Sequence, residues 1–133
     1  MEIFKIIILS LSGLMLVFAG AMRLFNPIKS YCLQSYADNS KLKLEAKVDI
    51  FNEMRGAGSL TLLAGIVILL GIVIPTLRLS SFVVAVLIFI GFAIGRALSM
   101  NLDGKPNKQL GQGLMFEIVF GTLNIFGLVN SLA

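Results

Sequence analysis

Residues 56–98 read GAGSLTLLAGIVILLGIVIPTLRLSSFVVAVLIFIGFAIGRAL, two apolar runs parted by Pro75, Thr76, Leu77 and Arg78. A helix crosses a hydrocarbon core of about 30 Å with roughly 20 apolar residues, because each residue rises about 1.5 Å. Each run meets that length with at most one internal charge. Pro75 cannot continue the backbone ladder, so the first run stops there and the second returns. The reading is a helical hairpin that spans a membrane.

Two further windows of the same kind flank it, at residues 6–25 and 113–132. The expected spans are therefore 6–25, 56–74, 79–98 and 113–132. They predict an all-α fold, a four-transmembrane-helix bundle forming a single integral membrane domain over residues 1–133. Composition points the same way, since 57% of the 133 residues are hydrophobic and only 14% are charged, outside the usual range of soluble domains. Ala19-Gly20-Ala21 resembles a signal-peptide cleavage site. Glu2, however, stands where a basic n-region would be, and the apolar run continues past the triplet, so the first window reads as a span.

The formal charge is +4, but the basic residues are divided among hydrophobic segments and build no soluble basic face, which excludes nucleic acid as a partner. Histidine is absent and Cys32 is the only cysteine. Histidine-ligated haem, thiolate metal sites and a CxxC pair are thereby excluded within the chain, and no metal or cofactor is expected. The expected partners are membrane lipids and a membrane-protein partner or a second copy.

Four crossings put both termini on one side with the short loop between spans two and three, where Lys5 and Arg78 lie. Opposite them fall Arg23, Lys29, Lys41, Lys43, Lys47, Arg55, Arg96, Lys105 and Lys108. Excess Lys and Arg marks the cytoplasmic face. The prediction is a multi-pass protein of a bacterial inner membrane, its termini outside and its first and third loops cytoplasmic. In the long link before span two, Leu44, Val48 and Phe51 recur at i, i+4 and i+7, with Lys41, Lys43 and Lys47 mostly elsewhere on the wheel. That pattern predicts a short amphipathic helix on anionic headgroups or a connector helix leading into span two, with Asn39 or Ser40 as its cap.

A charge at the centre of a bilayer costs about 2.5–3.5 kcal/mol, so the few polar residues in these spans carry most of the information. Glu117 lies about a turn into span four, with Gly113, Gly121 and Asn124 on its face. Span three offers Gly91 and Gly95 as a G-x-x-x-G pattern, with Ser99 a turn further on, and span two opens on Asn52, Glu53, Met54, Arg55 and Gly56. Close helix packing is expected at Gly56, Gly91, Gly95, Gly113 and Gly121. Arg96 sits near a helix C-terminus, where a cation complements the dipole, and is placed to reach Glu117 at the start of the next span. Asp103-Gly104 fits the reversal between them, with Pro106 discouraging resumption of the helix.

Two readings of these groups compete. In one, the arginines reach to the interface, the glutamates complement helix N-termini, and the pairs fix the register of the bundle. In the other, Asn52, Arg55, Arg96, Ser99, Asp103, Glu117 and Asn124 form a ring that binds a ligand or partner. There Arg23, Arg55 and Arg96 outnumber Glu53 and Glu117, leaving positive charge for a lipid phosphate or carboxylate. No catalytic residue is assigned, because no nucleophile or second catalytic group stands at diagnostic spacing. A proton-transfer isomerase acting through Glu117 is the enzymatic alternative. An accessory subunit of a larger transport or oxidoreductase complex is the other, with Gly13, Gly20, Gly65 and Gly71 making intermolecular contacts.

The order NEMRGAGSL at 52–60, GRALSMNLDGKP at 95–106 and FEIVFG at 116–121 resembles a bacterial family of small four-helix membrane proteins known only as a domain of unknown function. The resemblance covers the chain from Phe18 onward and places the family pattern on Arg55, Gly56, Gly95, Arg96, Ser99, Asp103, Gly104, Pro106 and Glu117. It implies a fold and no activity. That family is distantly similar to DoxX-like four-helix proteins, some of which accompany oxidoreductase or transport machinery, and more remotely to sterol-isomerase-like bundles. The histidines on which those isomerases rely have no counterpart here.

Overall fold

The computed structural model describes residues 1–26, 44–106 and 108–133, with side chains throughout except at 44–47 and 109. The expected cap at Asn39 or Ser40 lies outside the described residues, as do Lys29, Cys32, Lys41, Lys43 and the Lys47 side chain. Among the described residues the fold is all-helical: α1 is Glu2–Phe25, α2 Leu44–Val73, α3 Arg78–Asp103 and α4 Lys108–Leu132, with a 3-10 turn at Pro75–Leu77. Each long helix carries a segment long and apolar enough to cross a membrane, the shortest being Leu110–Leu132 at 23 residues. At about 1.5 Å per residue that segment reaches roughly 35 Å, enough for the hydrocarbon core.

The helices outrun the apolar windows. α2 begins at Leu44, so the residues expected as an amphipathic or connector helix are the opening turns of α2 itself. α3 likewise continues past Leu98 to Asp103, and α4 starts at Lys108. A nucleated helix propagates cheaply until a residue forbids it. For α3 that residue is Gly104, at φ 104° and ψ −179°, a region almost closed to side-chain-bearing residues. Gly104→Ala is expected to cost roughly 1–3 kcal/mol, seen as a lower unfolding midpoint of the detergent-solubilised protein. An unchanged midpoint would mean that the turn relaxes into another geometry.

At the opposite end, Ile74 takes the extended backbone (φ −109°, ψ 102°) that a following proline imposes, and its N–H makes the last bond back to Leu70 at 2.8 Å. Arg78 then ties three helix ends together. Its Nε and Nη2 donate to the Gly71 and Ile72 carbonyls of α2, each at 3.3 Å, and its Nη1 donates to Glu2 of α1 at 2.5 Å.

In the bundle α1 packs on α2, α2 on α3 and α3 on α4, while α4 closes on α1 along the sparsest of these seams. The core is small, built from Leu9, Leu16, Ala64, Ile68, Phe82, Ala85, Ile88 and Phe89. Large apolar side chains instead cover the outside, among them Leu14, Phe18, Leu63, Leu87 and Met115, each more than half exposed. A soluble monomer rarely exposes so much contiguous apolar surface, and hydrocarbon accommodates it at no cost.

Glycines set the α1–α2 distance. A Cβ built on Gly20 would press on the Leu62 backbone nitrogen and lie 2.7 Å from the Gly58 carbonyl oxygen. One on Gly13 would lie 3.2 Å from the Gly65 carbonyl oxygen. The antiparallel pair therefore touches backbone to backbone at two levels, Gly20 against Gly58 and Gly13 against Gly65. Gly13, Gly20, Gly65 and Gly71 all contact neighbouring helices within this chain. The intermolecular contacts expected of them are thus corrected: these positions are already occupied by the bundle's own helices.

Candidate functional site

The ends of α1 and α3 and the starts of α2 and α4 share one end of the bundle, because successive helices alternate in direction. There Arg96 meets Glu117 on α4; because α3 runs on to Asp103, Arg96 stands two turns inside the helix and not in its last turn, so the expected dipole role is corrected to that of an ion-pair partner. Its Nε donates to Oε1 at 2.7 Å and to Oε2 at 2.9 Å. The two side chains are only 17% and 10% exposed, so the pair is largely withdrawn from the surface. Gly113, one turn before Glu117, lies beside the pair, where a Cβ would make ordinary contact at 3.8 Å from the Arg96 guanidinium carbon, so this position does not require glycine for close packing.

A second guanidinium approaches from α1. Arg23 lies over the Phe92 ring at 4.7 Å, and Arg96, one turn beyond Phe92, lies over the same ring at 5.7 Å. Cations over an aromatic face are attracted by its quadrupole, which holds both heads inward. Together these groups line a cavity of about 130 Å³ between α1, α3 and α4. Its remaining wall is apolar: Met15, Leu16 and Ala19 from α1, Phe89 from α3, and Gly113 and Phe116 from α4. A small hydrophobic chamber with two guanidiniums and one carboxylate at one end can orient an anion attached to an apolar body.

The other candidate residues do not line this cavity, although Ser99 lines with Arg96 a separate pocket of about 80 Å³ toward the turn between α3 and α4. Arg55 is exposed and donates to the Leu24 carbonyl, capping the end of α1. Asn52 is exposed on the opening turns of α2. Ser99 donates to Asp103 at 2.9 Å along the outside of α3, so Asp103 has its own partner away from the cavity. Asn124 is fully buried two turns past Glu117, where its Nδ2 donates to Ser12 of α1 at 2.9 Å and to the Phe120 carbonyl at 2.8 Å. Its Oδ1 is buried without a hydrogen-bond partner. The expected ring is in fact an interior pair, an exposed pair, two separate inter-helix ties and the exposed Asn52.

The packing glycines divide in the same way. A Cβ on Gly121 would meet the Ile90 side chain of α3 at 2.5 Å, so this residue does hold two helices close. Gly56, Gly91 and Gly95 have nothing within 4 Å of a built Cβ, so among the described residues the G-x-x-x-G of α3 packs against no other helix. Missing from the expected site were Arg23, counted only for charge, and Phe92. Phe92 was detectable in principle, as the aromatic residue one turn before Arg96 on the same face. Among the described residues no three of His, Cys, Asp and Glu gather as a metal site requires.

Four helices of membrane-crossing length, apolar outside and with their buried charge paired inside, define the class: a four-helix bundle with the character of an integral membrane protein. Within that class the chain belongs to the family described as Domain of unknown function (DUF4345), whose model matches residues 4–128. No curated protein and no solved structure matched the chain.

Proposed function

We propose that this is a multi-pass protein of a bacterial inner membrane, termini outside, that binds without catalysis an amphiphile bearing one anionic head. The observation that carries the reading is the Arg96–Glu117 pair facing, with Arg23 over Phe92, into an otherwise apolar cavity at one end of the bundle. Arg96 reaches Glu117 through Nε, one of the five N–H donors a guanidinium carries, and a carboxylate or phosphate is the natural acceptor for such a fork. α1 and α4 pack most sparsely of the neighbouring helices and both line the cavity, so a hydrocarbon tail would join the bilayer along that seam. The orientation is supported by the sequence, whose first and third loops carry most of the Lys and Arg, the bias that marks a cytoplasmic face.

The test is binding of oleate against oleyl alcohol to the purified protein in mild detergent. Charge-assisted hydrogen bonds contribute about 1.5–3 kcal/mol, so oleate is expected to bind roughly 10- to 100-fold more tightly. Ala19→Phe, which fills the cavity from α1, is expected to weaken oleate at least tenfold while leaving the unfolding midpoint close to wild type. Equal binding of acid and alcohol, or undiminished oleate binding by a folded Ala19→Phe protein, removes the proposal.

A further inference from the structure

On the outside of the same end, where α3 turns into α4, lies a groove of about 480 Å³. Lys105, Lys108 and Gln112 form its polar part, and Met100, Pro106 and Met115 its apolar part. A second, wholly apolar groove of about 290 Å³ continues from it through Gly111 and Met115 to Leu114, Ile118 and Val119. We propose that this continuous groove holds one anionic phospholipid, its phosphate between Lys105 and Lys108 and one acyl chain laid along α4 as far as Val119.

Length, charge and shape agree on that occupant. From Lys108 to Val119 the helix rises about 16 Å, which is one leaflet of a hydrocarbon core about 30 Å thick. The two lysines thus stand at headgroup depth when the chain's far end is at the midplane. Among the described residues no acidic side chain lines either groove, and the neighbouring Asp103 accepts a hydrogen bond from Ser99 at 2.9 Å. The space over Gly111, which lines both parts, is open, for a Cβ built there meets nothing within 4 Å among the described residues. Among the described residues none lines both this groove and the interior cavity, although a smaller pocket of about 80 Å³ between them touches Arg96 on one side and Met100 and Pro106 on the other, so the test has to tell the two sites apart.

The experiment is titration of the full-length protein in detergent with phosphatidylglycerol or with phosphatidylcholine of the same acyl chains, counting bound lipids by native mass spectrometry. A lysine near an anionic headgroup favours it about fivefold. Wild-type protein is therefore expected to retain a single phosphatidylglycerol roughly 25-fold more tightly than phosphatidylcholine, and the Lys105→Gln/Lys108→Gln variant to hold the two equally. Gly111→Leu puts a better helix former at an open position, so the fold survives, and it is expected to weaken both lipids. Ala19→Phe is expected to leave the phosphatidylglycerol adduct intact. No headgroup preference in the wild type, a preference that survives loss of both lysines, or an adduct lost in Ala19→Phe would each overturn the site, the last by moving the lipid to the interior.

Discussion

Replacing Arg96 by methionine is expected to destabilise the bundle by about 3–5 kcal/mol, because it leaves the Glu117 carboxylate buried without its partner. Glu117 has little means of escape. It sits inside α4 with its side chain 10% exposed, and a glutamate is too short to carry its charge to the interface from there. Arg96 has more of a way out, since it stands two turns before the end of α3 and its long side chain can extend toward headgroups. Glu117→Gln is therefore expected to cost less than Arg96→Met, and the double variant Arg96→Met/Glu117→Leu to recover most of the loss, since two apolar groups of similar size need no counter-charge. Unfolding midpoints of the four proteins in one detergent give the order. If Arg96→Met is as stable as the double variant, the carboxylate is not relying on Arg96, and the interior pair is not what organises this end of the bundle.

That pair could be read from the sequence because three facts fix it without knowledge of helix rotation. Arg96 ends one apolar run, Glu117 begins the next, and Asp103-Gly104 permits only a short reversal between them, so the two charges must lie at similar depth on adjacent helices. Depth alone does not decide which other groups face inward. Arg55 shares the same end, yet it turns to the Leu24 carbonyl, because α1 ends beside it with carbonyl groups its own helix cannot satisfy. Asp103 lies past the cavity on the exposed flank of α3 and is bonded within its own helix. Asn124 finds Ser12, a partner 112 positions away that no local pattern announces. The inward or outward direction of a side chain depends on how each helix is rotated, and rotation is set by the closest contacts between helices.

Those contacts were the harder part to read. Gly91 and Gly95 fit the familiar small-residue spacing and are open, whereas the working glycines recur seven apart on both α1 and α2, at 13 and 20 and at 58 and 65. Seven residues are close to two turns, so each pair lies on one helix face, and running α2 antiparallel to α1 brings the two pairs level. A search for the same spacing on two successive apolar windows would have found this seam, but a search within single helices finds only the inert motif on α3.

The consequence is a sharp contrast among glycine substitutions. At Gly20 an added Cβ meets the Leu62 backbone nitrogen and Cα and the Gly58 carbonyl oxygen, all main-chain atoms that cannot rotate aside, so α1 and α2 must separate along their length. Overpacking of this kind costs about 1–3 kcal/mol for a methyl group, and Gly20→Val is expected to exceed Gly20→Ala. Gly13→Ala is expected to be milder, because the nearest atoms, at 2.6 Å, belong to the flexible Leu69 side chain. Gly91→Ala and Gly95→Ala should raise stability by up to about 1 kcal/mol each through helix propensity alone. Thermal unfolding of these five variants in a common detergent separates the two seams. Should Gly20→Val melt with the wild type while Gly91→Ala or Gly95→Ala collapses the protein, the helices are held together by the opposite face, and the inward direction assigned to Arg23 through the rotation of α1 goes with it.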